Sequence, residues 1–445
     1  MFYLNSETEL TTDLLQKVIR KFTTEKQPTL EKWKNYYDGK HVILNKGYAD
    51  KSKPCNRIVT NYCKIVTDTY SGYICGKPVS YTSNEEIDDV QDVINYNDSD
   101  SEDMQFCTNA LTYGIAYELF WLDAAAQVRY SQVNPMNAFT IEDNTMDSKL
   151  MYFVRWYDAD CFDDSDIVFV EVYDSIFKTV YRAHGINGQL EFVSQEEHHF
   201  GDVPVSVFTL NDSAESIFKP IITLNDAYNE LQSSEVDDFS AWCDAYLKLT
   251  GVDADAEDIA TMKENRCLVL PEGATADWLT KNASDTQIVN MLDNIKKNIF
   301  KVTACPDMAD ETFLAQSGTA LAYKLVGFEN VASGIVARFT KALQRRIKLI
   351  CNILNIKASD AVWRDIQINF VRNLPVNLTE TINLVNSLKG TVSDATLLSQ
   401  IPFITDVQAE LEAVQAQKEE NMAIYGLGAF SSSDDEEEEP DEEVA

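Results

Sequence analysis

The sequence predicts an α+β fold, mainly helical, and three observations predict it. Apolar residues recur at helical spacing over residues 1–75 and again from Pro220 onward. Between Ala116 and Phe208 the texture changes to short runs rich in β-branched and aromatic residues, broken by Asp, Asn and Gly, as in antiparallel sheet. The 445 residues are 45% apolar, which suffices for the cores of two or three compact units.

Taken in order, Leu14, Val18 and Phe22 recur at i, i+4 and i+8, and Ile58, Tyr62, Ile65, Val66 and Tyr73 keep one helical face. Residues 84–103 hold nine acids and read as a solvated helix and loop, followed by a helix over 103–113. The runs AYELFWL, QVRYSQV, LMYFVRWY, IVFVEVY and FKTVYRA belong to a sheet of about seven strands. From Pro220 a helix carries Leu224, Tyr228 and Leu231 and ends near Ala245. A small mixed insert follows, with strand YLKLTG, helix DAEDIATMKEN and strand CLVLPE. A helix over Asp285 to Thr303 places Ile288, Met291, Leu292, Ile295, Ile299 and Val302 near heptad spacing, a narrow stripe suited to a neighbouring helix. Asp307 to Gly318 reads as a loop. A long helix over Thr319 to Ile356 follows, with a bend expected at Gly327 and Gly334. The strand IQINFV, helices from Leu378 to Met422 and a Ser-rich acidic tail from Ser431 complete the chain.

Charge and composition exclude several function classes. The net charge is -35, and the stretch Asp434 to Glu443 holds nine acids, so the remainder still carries about -26. Such a chain does not obtain affinity for DNA by neutralising phosphates; DNA beside it slides rather than sticks. No run of eighteen apolar residues occurs, and the start, MFYLNSETELTTDLLQ, lacks a secretory signal, so a cytosolic protein without membrane contact is expected. The nine cysteines form no C-x-x-C pair and read as free, packed thiols.

Catalytic constellations fail in detail. In SGYICGKP, Gly72 and Gly76 are one residue too close for a phosphate loop and Pro78 replaces its Ser or Thr. Asp98, Asp100 and Glu102 are spaced as in a calcium loop, yet Asp103 stands where glycine is needed and Asn109 where a bidentate glutamate is needed. The four histidines show no zinc spacing, and His198 and His199 read as a surface pair on opposite faces of a strand. Carboxylates are too many for spacing to select a glycosidase pair. No cofactor and no metal is expected. The basic cluster Arg338, Lys341, Arg345, Arg346 and Lys348 needs acidic partners, either within the chain or on a neighbouring subunit.

Several stretches, in order and at consistent spacing, resemble the portal proteins of long-tailed phages of Gram-positive bacteria. They are YYDGKHVI at 36–43, NRIVTNYCKIVTDTYSGYICGKPVSY at 56–81, ALTYGIAYEL at 110–119, LNDAYNELQSSEVDDFSAWCDAYLKLTG at 224–251 and PDMADETFLAQSGTALAYKL at 306–325, with ALQRRIKLI, FVRNLPVN and GTVSDATLLSQIPFITDVQAELE later. The resemblance implies a portal-protein fold assembled as a ring, usually of twelve copies. On it, 1–216 is a wing of N-terminal helices and antiparallel sheet, 217–245 the first stem helix, 246–284 the clip and 285–304 the second stem helix. Residues 305–318 are the tunnel loop, 319–377 a long bent helix and returning strand of the wing, 378–430 the crown, and 431–445 a disordered acidic tail.

The tunnel loop would present Asp307, Met308, Asp310, Glu311, Thr312, Phe313, Gln316 and Ser317 to DNA, and Ile288, Leu292, Ile295 and Ile299 would pack between subunits as well as within one. The implied partners are further copies of the chain, double-stranded DNA passing non-specifically, the terminase motor, a head-completion or adaptor protein, and capsid and scaffolding proteins. The implied location is the portal vertex of the virion, after assembly in the host cytoplasm, and ATP hydrolysis belongs to the motor, so no enzyme activity is expected of the chain. Two other readings stand beside this one. An acidic cytosolic scaffold or adaptor binding basic partners accounts for the charge but not for the order of helix, insert and loop. A carboxylate-using hydrolase requires a pocket that the sequence does not advertise.

Overall fold

A computed structural model describes residues 2–50, 53–159, 166–242, 247–251, 273–278, 285–309, 318–356, 362–373, 385–399, 401, 404, 407 and 410–418. The chain divides into two units, Met1–Phe370 and Val371–Ala445.

The first unit opens with β1 (Phe2–Leu4), α1 (Thr12–Lys21), α2 (Gln27–Tyr37), α3 (Tyr62–Cys75), β2 (Ser80–Thr82), α4 (Asp88–Tyr96) and α5 (Ser99–Tyr113). The opening residues are therefore a strand, not the helix expected there, because Phe2 to Leu4 pair in parallel with Ile141 to Asp143. In α1 the buried residues are Leu15 and Ile19, each one position after the expected Leu14 and Val18, while Phe22 is buried as expected in the turn that follows. A π turn over Phe22–Lys26 joins α1 to α2, and it places Pro28 in the first turn of α2, where a missing N–H costs nothing. Helix α3 begins at Tyr62 rather than at Ile58: the Asn61 side chain caps it by accepting from the Lys64 amide at 3.0 Å.

Eight strands follow, β3 (Ile115–Leu122), β4 (Val128–Val133), β5 (Ala138–Asp143), β6 (Leu150–Asp158), β7 (Ile167–Tyr173), β8 (Phe177–His184), β9 (Glu191–Glu197) and β10 (Val205–Thr209). They build two sheets, β1-β5-β6-β7-β8-β9 and β10-β3-β4. Strand β3 links the layers because its side chains alternate. Ile115, Tyr117 and Leu119 pack on the larger sheet with Ala138, Phe153 and Tyr173, while Ala116, Glu118 and Phe120 face the helices. On β10, Phe208 stacks on Phe339 of the long helix at 4.8 Å, and Phe106 of α5 meets both edge-on. The turn from α5 into β3 requires Gly114, at φ +77°, since a Cβ there would lie 2.4 Å from the Ala214 backbone.

The remaining elements of this unit are α6 (Ile222–Trp242), the antiparallel pair β11 (Leu247–Thr250) and β12 (Thr275–Trp278), α7 (Asp285–Thr303), α8 (Gly318–Ile356) and β13 (Gln367–Asn369). Strand β13 pairs with β2, so the expected IQINFV strand exists, though only three residues long. Helix α8 runs without interruption through Gly327 and Gly334 and packs on α3, α4, β10 and β13. The expected insert helix DAEDIATMKEN and strand CLVLPE lie outside the described residues.

In the second unit the described residues include α9 (Asp394–Ser399) and a helical stretch over 410–418. Most of the remaining expected crown and the whole acidic tail, 431–445, lie outside the described residues.

Two expectations about charged and polar surface are corrected. His198 and His199 follow β9 rather than occupying it; His198 is half-buried with its Nε2 2.9 Å from the Asp174 carbonyl, and His199 sits exposed at φ +64°. The acidic stretch 84–103 is not all solvated, for Asp103 is 2% exposed.

Candidate channel segment and the helix pair that carries it

Helices α6 and α7 pack side by side, and the face that α6 turns inward is polar. Asn225, Asn229, Ser233 and Asp237, each four residues apart, are all buried. Opposite them residues 56–61 lead into α3 without helical structure, and every second amide from Asn56 to Tyr62 finds a side chain on α6. The Asn56 N–H donates to Asp237 Oδ1 at 2.5 Å, Ile58 to Ser233 Oγ at 2.9 Å, Thr60 to Asn229 Oδ1 at 2.9 Å and Tyr62 to Asn225 Oδ1 at 3.1 Å. A two-residue strand step and a four-residue helix step are nearly the same length, so the helix serves the segment as a neighbouring strand would. The other ends of these side chains are also used. Asn225 Nδ2 donates to the Thr60 carbonyl at 2.8 Å, and Asn229 Nδ2 meets His41 Nδ1 at 3.0 Å. His41 in turn reaches the Tyr36 carbonyl through Nε2 at 3.1 Å. Burial holds its pKa below the ordinary imidazole value, so neutral His41 donates through Nε2 and accepts at Nδ1.

Tyr62 closes this arrangement, lying edge-on between Tyr228 of α6 and Phe300 of α7. Farther along, the buried Tyr70 hydroxyl of α3 donates to the carbonyl of Thr303, the last residue of α7, at 2.7 Å. The chain leaving α7 is thereby fixed through Cys305, which is buried.

Of the residues expected to line a channel, Asp307 is paired with Lys296 of α7 at 2.6 Å, and Met308 is 50% exposed. Asp310, Glu311, Thr312, Phe313, Gln316 and Ser317 lie outside the described residues. Of the stripe expected to pack helices, Ile299 is fully buried within the chain, and Ile288, Leu292 and Ile295 are half-buried. Met291 and Val302, also expected in that stripe, lie along its edge and are more than half exposed, as are Val289 on another face of α7 and Phe239 on α6. Two lysines of α7 are neutralised locally, Lys296 by Asp307 and Lys297 by Asp293.

The basic cluster on α8 finds its acids mostly within the chain. Arg338 pairs with Asp212, and Arg345 and Lys348 share Asp202. Arg346 is wholly buried. It grips Glu118 of β3 through two bonds of 2.8 and 2.7 Å, lies 2.5 Å from Asp103 Oδ1, and sets its guanidinium 4.7 Å over the Tyr130 ring. Burial pushes both carboxyls up and Arg346 opposes that shift.

The segments that meet at the helix pair, 56–62, 225–237 and 300–303, are scattered along the sequence but contiguous in space, and the α8 arginines form a separate cluster against α5, β3 and the loops at Asp202 and Asp212. The profile of the phage portal protein family, SPP1 Gp6-like, matches residues 16–423, a span that contains all of them. The chain belongs to the phage portal protein family. Among its relatives, the portal protein of Bacillus phage SPP1 is 21% identical over 428 residues, covering 89% of this chain and 82% of the relative. Two features of this portal-family chain escape a reading by hydrophobic periodicity: the polar stripe of α6 and the Arg346 site. The signal for the first was present as Asn225, Asn229, Ser233 and Asp237 at i, i+4 spacing. For the second it was Glu118 inside the apolar run AYELFWL.

Proposed function

We propose that this portal-family chain assembles into a closed ring of twelve copies at one capsid vertex, where it conducts double-stranded DNA during packaging and ejection and docks the terminase motor and head-completion proteins. The observation that carries the reading is the family match over residues 16–423. The exposed apolar residues Phe239, Val289, Met291 and Val302 on the paired helices support it, because an apolar surface on a charged chain calls for a neighbour. On this reading α6 and α7 are the stem and the segment after Cys305 enters the tunnel loop. The work is mechanical, in the capsid, and ATP is hydrolysed elsewhere.

Negative-stain microscopy of the purified chain is expected to show rings with a central hole and near twelve-fold symmetry; monomers at micromolar concentration would remove the reading. Within it, Met291→Glu is expected to leave the fold intact and abolish rings, since its side chain is 53% exposed, while Ile295→Asp is expected to abolish rings and lower stability as well. Native mass spectrometry with thermal melts separates the two, and intact rings in both variants would exclude α7 from the subunit contact.

Reversal of Asp310 and Glu311 to Lys is expected to spare the ring and slow packaging in a DNA-protection assay, because cations there would capture phosphates. Unchanged rates would count against the tunnel assignment. Asp307→Lys is expected to behave differently, lowering the stability of the α7 end by breaking its pair with Lys296.

A further inference from the structure

The charge of the chain is unevenly placed. Residues 1–80 carry thirteen Lys and Arg against eight Asp and Glu, an excess of cations in a protein of net charge -35. Residues 81–128 contain eleven acids and not one Lys or Arg. The first region surfaces on α1 and α2, where Lys17, Lys21, Lys26, Lys32 and Lys40 are exposed and, among the described residues, have no carboxylate within ion-pairing distance, unlike Lys34 and Lys64. The second surfaces on α4, where Glu85, Glu86, Asp88 and Asp92 are exposed, while Val90, Val93 and Ile94 face inward. Helix α2 packs on α3 and α5, whereas α4 packs on α5 and α8.

On the basic side lies a groove of about 300 Å³ between α2 and the turn at 42–45, lined by Lys32, Tyr36, Lys40 and Val42 among others. Val42 is 59% exposed. With Pro28, Tyr36 and Val42 as apolar lining and two lysines against one acid, Glu31, the groove carries a net positive charge; it suits an amphipathic acidic protein surface better than a phosphate backbone, and the -35 charge repels DNA at long range.

A ring closes by heterologous contact, in which two different patches of one subunit meet those of its neighbours. We propose that the α2 groove of one copy receives the acidic α4 face of the adjacent copy, so that ring closure depends on the pairing of Lys32 and Lys40 with Asp88 and Asp92 across the contact. The inference rests on the ring reading above and specifies its partner surfaces.

The test uses the full chain and three variants: Lys32→Glu with Lys40→Glu, Asp88→Lys with Asp92→Lys, and all four together. Rings are counted by native mass spectrometry and microscopy at low salt, with thermal melts confirming the fold. Each pair alone is expected to lower the ring fraction at least tenfold, and the fourfold variant, in which both faces change sign, to restore it. Wild-type rings are expected to weaken as salt shortens the Debye length from ~10 Å at 0.1 M toward ~3 Å at 1 M. If wild type forms no ring, the ring reading fails and this inference falls with it. If wild type forms rings and the paired reversals do so equally, or the fourfold variant does not recover, the inference alone is overturned. Rings that persist in the lysine variant but lose DNA retention would assign the groove to phosphates instead.

Discussion

Replacing Arg346 with methionine is expected to destabilise the first unit by about 3–5 kcal/mol, the cost of leaving a buried charge site without its partner. The guanidinium is wholly buried between Glu118, Asp103 and the Tyr130 ring, and its loss strands two carboxyls that are themselves almost entirely buried. Burial already raises both of their pKa values, with Arg346 opposing the rise, so without it they rise further. A carboxyl whose folded pKa lies above its unfolded value binds more protons when folded, and stability then falls as pH rises through that interval. Arg346→Met is therefore expected to be more stable at pH 5 than at pH 8 in urea melts. The triple variant Arg346→Met, Glu118→Leu, Asp103→Leu is expected to recover most of the loss, as apolar replacement of a whole buried ion site often does. A single variant with wild-type stability at pH 8 would show that the site is hydrated and inessential.

The second large effect is expected from Asn225→Leu with Asn229→Leu. The first removes an acceptor from the buried Tyr62 amide, which keeps a longer bond to the Thr60 carbonyl, and the second from the part-buried Thr60 amide; a fully buried donor left unsatisfied costs about 1–3 kcal/mol. Together they are expected to cost about 1–3 kcal/mol on that basis, with hydrogen exchange of the Thr60 and Tyr62 amides accelerated before global unfolding. Unchanged protection at these amides would refute the role given to α6. His41 adds a pH signature, because its lowered pKa means that the unfolded chain binds the proton more readily. Its contribution is complete above the ordinary imidazole value and is lost as pH falls below it. Asn229→Leu removes the Nδ2 contact to His41 but keeps the burial that lowers its pKa, so that acid limb is expected to persist.

Element types were legible where apolar residues set the pattern. The β-rich block between residues 116 and 208 holds eight strands where about seven were expected, and helices over 222–242, 285–303 and 318–356 lie close to where periodicity puts them. The readings that failed share one physical cause: polar groups satisfied by partners distant in sequence. Residues 58–61 read as helix because Ile58 and Tyr62 are i, i+4, but the amides of Ile58 and Thr60 are taken by side chains of α6, which keeps them out of a helix. Asp103 read as surface because its neighbours are acidic, yet its partner lies 243 positions away on α8. Phe2–Leu4 read as helix because a three-residue strand has no periodicity, and only β5 makes it one. At the candidate site, Asp307 was placed by analogy of position; its pairing with Lys296 has no local signal.

The match between α6 and the segment 56–62 is close but not perfect. Two extended residues advance ~6.6–6.8 Å and four helical residues 6.0 Å, so the two tracks slip by ~0.6–0.8 Å at each rung. Across the four rungs from Asn56 to Tyr62 the accumulated slip is ~2 Å by the same geometry, about what short side chains absorb by leaning. The arrangement thus acts as a vernier that fixes its own length, and the chain turns into helix at Tyr62, where the scales part. It also imposes an exchange rate on sequence change: two residues gained or lost in the segment demand four in the helix. A length change in one alone shifts every amide past its acceptor.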